Sequence, residues 1–466
     1  RRQPVPDAQR SPLQQRPQAR LPEALGSAGY TGLLRLVHHA AVTTATLRDT
    51  IQQHTRALAR TVPAVLAIHD TTDFSFGGKA IRTGLGPLKA AGQGFFFHPC
   101  LLVTDDAQHL PLGVVEAVTW ARPPATGPKT RTTKARHRTH NDTESARWLQ
   151  QMLRVYDAMR DSATTMLHVM DRESDDYGLL VDAMARGRRF VLRMCHDRLV
   201  APAGDDDPSA RKVRALFATQ LEGCCERWVW LSDRNARQPR QQKVHPSRRG
   251  RAARLTFAAR KVELRRPDSQ PTHLPLTLTV NVVRVWEPDP PVGEAPVEWV
   301  LLTSEPIATI ADVLRVVDAY RARWCVEEFF KALKTGCAYE KLQAEDYDTL
   351  QKLLWLQILI AVNLLRLRDL AAHTPEATAT PQNTGLEPEA LQVLAAERRP
   401  TKGALTIVGV LYAIARLGGH LRNNGPPGWL VLTRGMRALQ LRAEGWRLAK
   451  SQHAHAIPLT PKTDRS

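Results

Sequence analysis

Five short apolar runs, with two amphipathic helices set among the later ones, constrain this chain more than any other feature. "AVLAIHD" (64–70), "GFFFHPCLLVTDD" (94–106) and "LPLGVVEAVTWA" (110–121) come first, with turn signals between them. "DTESARWLQQMLRVYDAMRD" (142–161) has helical periodicity, with Asp142 or Thr143 as candidate N-cap. "MLHVMD" (166–171) reads as a fourth strand, "SDDYGLLVDAMARG" as a helix, and "RFVLRM" (189–194) as a fifth strand. Three strands in meander order are thus followed by helix, strand, helix, strand.

That order is what a ribonuclease-H-like mixed sheet requires, and it is also a common α/β order. The flanks differ in pattern. Residues 1–24, rich in Pro, Gln and Arg, read as a disordered arm, and 27–60 as helical, with Leu34, Val37 and Ala41 at helical spacing. Short β-type runs between 212 and 305 read as an inserted, mostly antiparallel β subdomain. Helices are expected over 311–335 and 347–371, a linker over 371–388 and a last helical domain over 389–450. The expected fold is therefore α/β. It has an N-terminal helical segment (1–60), a catalytic domain (61–370) with the β insertion, and a C-terminal helical domain with a polar tail (389–466).

Lys and Arg total 65 against 46 Asp and Glu, a formal net charge of +19. Such a balance suits a polyanion, nucleic acid first, although it also keeps a protein soluble. Arg122 to His140 holds six cations and no acid, and Arg234 to Lys261 has no acid and dense arginine. These stretches suit phosphate contacts or solvated loops. No run of about 18 apolar residues and no charged-then-apolar leader is seen, so neither a membrane span nor secretion is expected. The six cysteines, with no CxxC pair, fit neither a zinc site nor a disulfide framework and read as reduced thiols.

Asp70 and Asp171 each end a strand, where α/β active sites form. Either one alone also fits a helix cap or a turn residue. The stretch "YRARWCVEEFFKALKTG" (320–336) carries unusual charge among large apolar groups. At about 100° per residue, Tyr320, Arg323, Glu327, Lys331 and Lys334 share an arc of roughly 80°. Leu314, Cys325, Val326, Phe329, Ala332 and Leu333 fall on the opposite, core-facing side. The charged face is either a substrate-phosphate grip around Glu327 or a solvated face knitted by Arg323–Glu327 and Glu327–Lys331 pairs. Three acids from two strand ends and one helix would make a carboxylate cluster for hard divalent ions.

With those residues in view, the chain resembles the insertion-sequence-four group of DDE transposases, the bacterial transposon-five type among them. Tyr320, Arg323, Glu327 and Lys334 match the Y-(2)-R-(3)-E-(6)-K signature. "IHDTTDFSF" and "VMDRESDD" are similar to the two aspartate segments, and "EWVLLTSEP" to the segment before the signature, with Trp299 at the base-trapping tryptophan. The segment 417–446 is similar to the dimerisation domain. The resemblance implies cut-and-paste transposition: strand nicking, hairpin formation and resolution, and strand transfer to target DNA. It implies Asp70, Asp171 and Glu327 as catalytic ligands of two Mg²⁺ ions, with Mn²⁺ as an alternative. Tyr320, Arg323, Lys331 and Lys334 would grip DNA phosphates, and Trp299 would stack on an unpaired base. The implied partners are double-stranded DNA, as element ends and target, and a second copy of the chain. The implied location is the bacterial cytoplasm, at the nucleoid.

Only 69 residues precede Asp70, whereas the group carries a fuller N-terminal helical domain that recognises element ends. The 27–60 segment reads as its remnant. A second reading follows: an N-terminally truncated, non-catalytic partner that dimerises with full-length transposase and inhibits it.

Overall fold

The computed structural model describes residues 31–78, 81–88, 92–123, 144–201, 211–218, 224–233, 247–397, 403–421, 423 and 425–454. The single helix expected over 27–60 is broken. Residues 31–38 are helical, and α1 (Thr44–Ala59) starts anew. The cause is a capping box at Thr43 and Thr46, in which each hydroxyl accepts the other's backbone N–H and satisfies donors a helix start leaves unpaired. Val37 is buried, whereas Ala41 lies exposed in the break. α1 packs on the sheet where Gly113 has φ +150°; a Cβ there would lie 2.2 Å from Thr55 Oγ1.

The first half of the sheet comprises β1 (Ala64–His69), β2 (Thr72–Phe76), β3 (Gly86–Pro87), β4 (Gln93–Thr104), β5 (Pro111–Trp120), β6 (Thr165–Met170) and β7 (Arg189–Arg193). β4 pairs antiparallel with β5 and β1; β1 pairs parallel with β6, and β6 with β7. The spatial order is β5–β4–β1–β6–β7. Helices α2 (Glu144–Ala158) and α3 (Tyr177–Ala185) precede β6 and β7. β1 is buried on both faces: Leu66 and Ile68 enter one core, Val65 and Ala67 another.

β2 is an addition to the expected strands. It alternates buried Phe74 and Phe76 with outward Asp73 and Ser75, the pattern of a half-buried edge. It pairs with the same long β4 as β1 does, Thr72 opposite Phe97 and His69 opposite Cys100. Asp70 and Thr71 therefore fall in a gap in this ladder. Pro99, which has no N–H to donate, sits in the matching gap of β4.

The second half comprises β8 (Leu199–Val200), β9 (Arg211–Lys212), β10 (Cys225–Leu231), β11 (Arg251–Arg265), β12 (Thr277–Trp286) and β13 (Glu298–Thr303). β10–β11–β12–β13 form an antiparallel array, and β13 pairs antiparallel with β7, Leu302 opposite Leu192. The array thus extends the same sheet, which is mixed and mostly antiparallel.

The helix expected over 311–335 is three pieces. α4 (Ile310–Arg321) ends in a tightened turn with three-residue hydrogen bonds from Arg323 N to Tyr320 O (3.1 Å) and Val326 N to Arg323 O (3.1 Å). α5 (Trp324–Lys331) then widens into a π turn over Ala332–Gly336. Val326, Phe329, Ala332 and Leu333 are buried as expected, and Leu314 and Cys325 partly so. α6 (Tyr347–His373), α7 (Pro388–Ala396), α8 (Ile407–Leu417) and α9 (Trp429–Ala454) follow. α6 is the one described helix long and apolar enough to cross a membrane, but Leu350, Leu354, Ile358 and Ala361 are buried inside the protein. Residues 374–387, linker-like in composition, are held by a Thr378–Thr406 bridge and a capped turn at Thr380. Leu432 of α9 and Val410 of α8 share one core with α4, α5 and α6.

Candidate functional site

β1 and β6 run parallel with Ile68 beside Val169. Two residues further on, the same register sets Asp70 beside Asp171, on strands about 4.8 Å apart. Asp70 Oδ1 accepts the Thr71 N–H (2.8 Å), and Oδ2 accepts Arg323 Nη1 (2.8 Å). Arg323 Nη2 donates to Glu327 Oε1 (2.6 Å). Tyr320 OH donates to Asp171 Oδ1 over 3.4 Å. One guanidinium thus links the first acid to the glutamate, and the tyrosine reaches the second acid. The tightened turn between α4 and α5 aims Tyr320 and Arg323 at adjacent strand ends.

The charge here is out of balance. Burial pushes the Asp70 carboxyl up to about 7, against the pull of Arg323 and with the push of Asp171 and Glu327. Burial opposes the Arg323 charge, but Asp171, Asp70 and Glu327 more than restore it and hold its pKa above the usual value. Burial, then the Asp171 charge, pushes the Tyr320 hydroxyl up to about 12.

Trp299 on β13 stands with its ring 5.8 Å from that of Tyr320, at 59°. It is half-buried and packs on the core edge beside the site. Lys334 Nζ lies 3.9 Å from Asp73 Oδ1 and 5.7 Å over the Phe74 ring. Lys331 departs from the expected line. Its Nζ meets Glu328 Oε1 (2.6 Å) and lies 4.7 Å from the Trp324 ring. The Glu327–Lys331 pair is therefore not formed: Glu327 is taken by Arg323, and Lys331 by the neighbouring Glu328.

The neighbouring acids sort by environment. Asp175 is buried and accepts from Cys195 N (2.7 Å), His196 N (2.9 Å) and Arg198 Nη2 (2.5 Å). Asp176 caps α3 by accepting the Leu179 N–H. Both follow Asp171 in one acidic cluster, and only tertiary pairing tells them apart. Three buried histidines beneath the site also escaped the sequence reading. His69 Nε2 lies 2.9 Å from His168 Nδ1, and His98 Nδ1 lies 2.8 Å from Thr71 Oγ1. Burial lowers all three, His69 to about 3, so the layer under Asp70 is neutral.

Most of the first basic stretch and residues 234–246 of the second lie outside the described residues. In the described part, Arg251 pairs with Glu287 and Glu294, and Arg254 with Asp289. Among the described residues, no three His, Cys, Asp or Glu side chains stand close enough together, as placed, to hold a metal ion. The six cysteines are free thiols.

A family model described as the transposase DDE domain matches residues 125–364, more than half of the chain. The match spans Asp171, Trp299 and the whole 320–336 stretch. The chain belongs to this family of DDE transposase domains. It is a transposase, and its substrate is DNA.

Proposed function

We propose that the protein is a cut-and-paste transposase of the insertion-sequence-four group, with a ribonuclease-H-like core. The order β5–β4–β1–β6–β7, antiparallel then parallel, supports that core. The observation that carries the reading is the site itself. Asp70 and Asp171 sit side by side on parallel strands, and Arg323 and Tyr320 tie them to Glu327 and α4.

Asp70, Asp171 and Glu327 are the residues that would hold two Mg²⁺ ions. Their oxygens are the hard donors such ions prefer, and Arg323 is the one guanidinium shared by Asp70 and Glu327. Bound there, the ions would activate a water or a 3′-hydroxyl and offset charge on the leaving oxygen. Arg323 would release a carboxylate as the site fills and turn its guanidinium to a phosphate. Tyr320 and Lys334 would hold further phosphates of the reacting strand, and Lys331 one at the outer end of α5. Trp299, half-buried beside Tyr320, would take a base that has left the stack.

Residues 61–370, with the β array over 212–305, would form the catalytic unit, and residues 389–466 the surface for a second copy. Leu441, Trp446 and Leu448, all exposed on α9, supply apolar surface for such a dimer. The test is strand cleavage. Purified protein, Mg²⁺ and duplex DNA carrying the repeats that flank its gene should give hairpins and joined products, and Glu327→Ala should give none. Nicks without hairpins would reduce the reading to a nuclease. Cleavage that survives Glu327→Ala would remove the assigned site.

A further inference from the structure

A second cavity opens beside the Asp70–Asp171 pair, across the sheet from Trp299. Thr71, which follows Asp70, and Glu173, two residues after Asp171, both line it. Its volume is about 120 Å³, room for one planar ring system and too little for a base pair. The wall is aromatic. Trp120 stacks on Phe96 with ring centroids 5.3 Å apart at 15°, and buried Trp148 stands edge-on to His98 at 4.5 Å. Arg147 Cζ lies over Trp120, 4.1 Å from the ring centroid.

Charge decides what such a cavity takes. Two exposed carboxylates, Asp73 and Glu173, line it with Arg147; Arg122 lies 4.3 Å over the Phe96 ring, and Lys334 is 3.9 Å from Asp73 at the rim. Cations interleaved with carboxylates over an aromatic wall do not single out a phosphate. Such a lining suits a neutral ring that both donates and accepts hydrogen bonds and that can lie on a guanidinium or an indole. The ring nitrogens His98 Nε2 and Trp120 Nε1 are buried in this wall without a hydrogen-bond partner.

We propose that this cavity receives a second unpaired nucleobase, from the strand that crosses Asp70 and Asp171, on the opposite side of the reacting phosphate from Trp299. The inference rests on the transposase reading above and adds a base site to it. The reacting strand is thereby held open on both sides of the bond to be broken. Each base leaves the stack at a cost offset by aromatic contacts.

The test is equilibrium binding to the same terminal-repeat duplex, intact and with single bases removed one position at a time. Arg147→Ala should weaken binding to intact DNA about tenfold, the worth of one stacked base. That loss should vanish when one particular base is missing and persist when any other is. The silent position should differ from the one silent for Trp299→Ala. Glu173→Gln, an exposed and foldable change, should show the same silent position with a smaller loss. An equal loss at every position, with weaker salt dependence, would make Arg147 a phosphate contact and overturn the inference; so would no loss at all. Wild-type cleavage of the same DNA separates the two readings. If cleavage is present and the loss is even, only the cavity assignment falls. If wild-type protein neither cleaves nor selects this DNA, the transposase reading falls and takes the cavity with it.

Discussion

Glu327 and Glu328 are adjacent on α5 and live in opposite electrostatic settings. Glu328 accepts from Lys331 Nζ (2.6 Å), Arg368 Nη1 (2.9 Å) and Trp429 Nε1 (3.2 Å), and so ties α5 to α6 and α9. Burial raises its carboxyl, but Lys331 and Arg368 outweigh that and hold it below the usual range. Glu327 shares one guanidinium with Asp70, whose own carboxyl is pushed up to about 7. One face of the helix is compensated and structural. The other is left short of positive charge, which is the condition of a surface awaiting cations or a cationic complex with substrate. The difference comes from what packs on each face, since the two side chains are chemically the same.

The sharpest way to break this contrast is to neutralise each glutamate in turn. Glu327→Gln should lower strand cleavage at least about a thousandfold while leaving the melting temperature close to that of wild type, since the amide oxygen can still accept from Arg323. Glu328→Ala should do the reverse, keeping cleavage within a few-fold of wild type and costing about 2 kcal/mol in urea unfolding through three lost charge-assisted contacts. Loss of stability in the first, or of chemistry in the second, would erase the distinction.

The pH dependence sharpens it further. The folded Asp70 carboxyl titrates near 7 and the unfolded one near 3.8. The folded state therefore holds this proton more tightly, and the stability it contributes is complete below about pH 4 and lost as pH rises through 7. Asp70→Asn should flatten that limb of the stability curve. Mg²⁺ should raise the wild-type melting temperature more at pH 8 than at pH 5, read by differential scanning fluorimetry.

The smallest expected effects concern the two lysines. Lys331 is held by Glu328 on the compensated side, and Lys334 stands at the site rim beside Asp73. Lys334→Ala should weaken DNA binding severalfold and reduce its salt slope by about one. Lys331→Ala should change affinity less and stability by under about 1 kcal/mol, as exposed pairs do. Equal effects on binding would place Lys331 as near the reacting strand as Lys334.

Much of the sheet was legible because its signals are local. "AVLAIHD" and "MLHVMD" are apolar but for one histidine each and end in acids, and they form neighbouring parallel strands with those acids at their ends. β2 was missed because its five residues alternate with Asp and Ser, which looks like a polar turn until β4 is present to pair with it. The breaks within 27–60 and 311–335 leave no mark on the sequence pattern, because apolar spacing persists through a capping box and through a tightened turn. Neither break changes composition.

What the amino-acid sequence determined by itself was the set of strands bearing acids and the short helix bearing the charges, since periodicity and strand-end placement are properties of neighbouring residues. Only the tertiary structure decided which acid of "DRESDD" faces the rim and which is buried against Arg198. It alone decided that Arg323 spans Asp70 and Glu327, and that Lys331 turns to Glu328. The Arg323–Asp70 contact joins residues 253 positions apart, and the others depend on which strands and helices pack against each carboxylate and which side of it is shielded from water. The chain order does not encode these separately; they exist once the layers have packed.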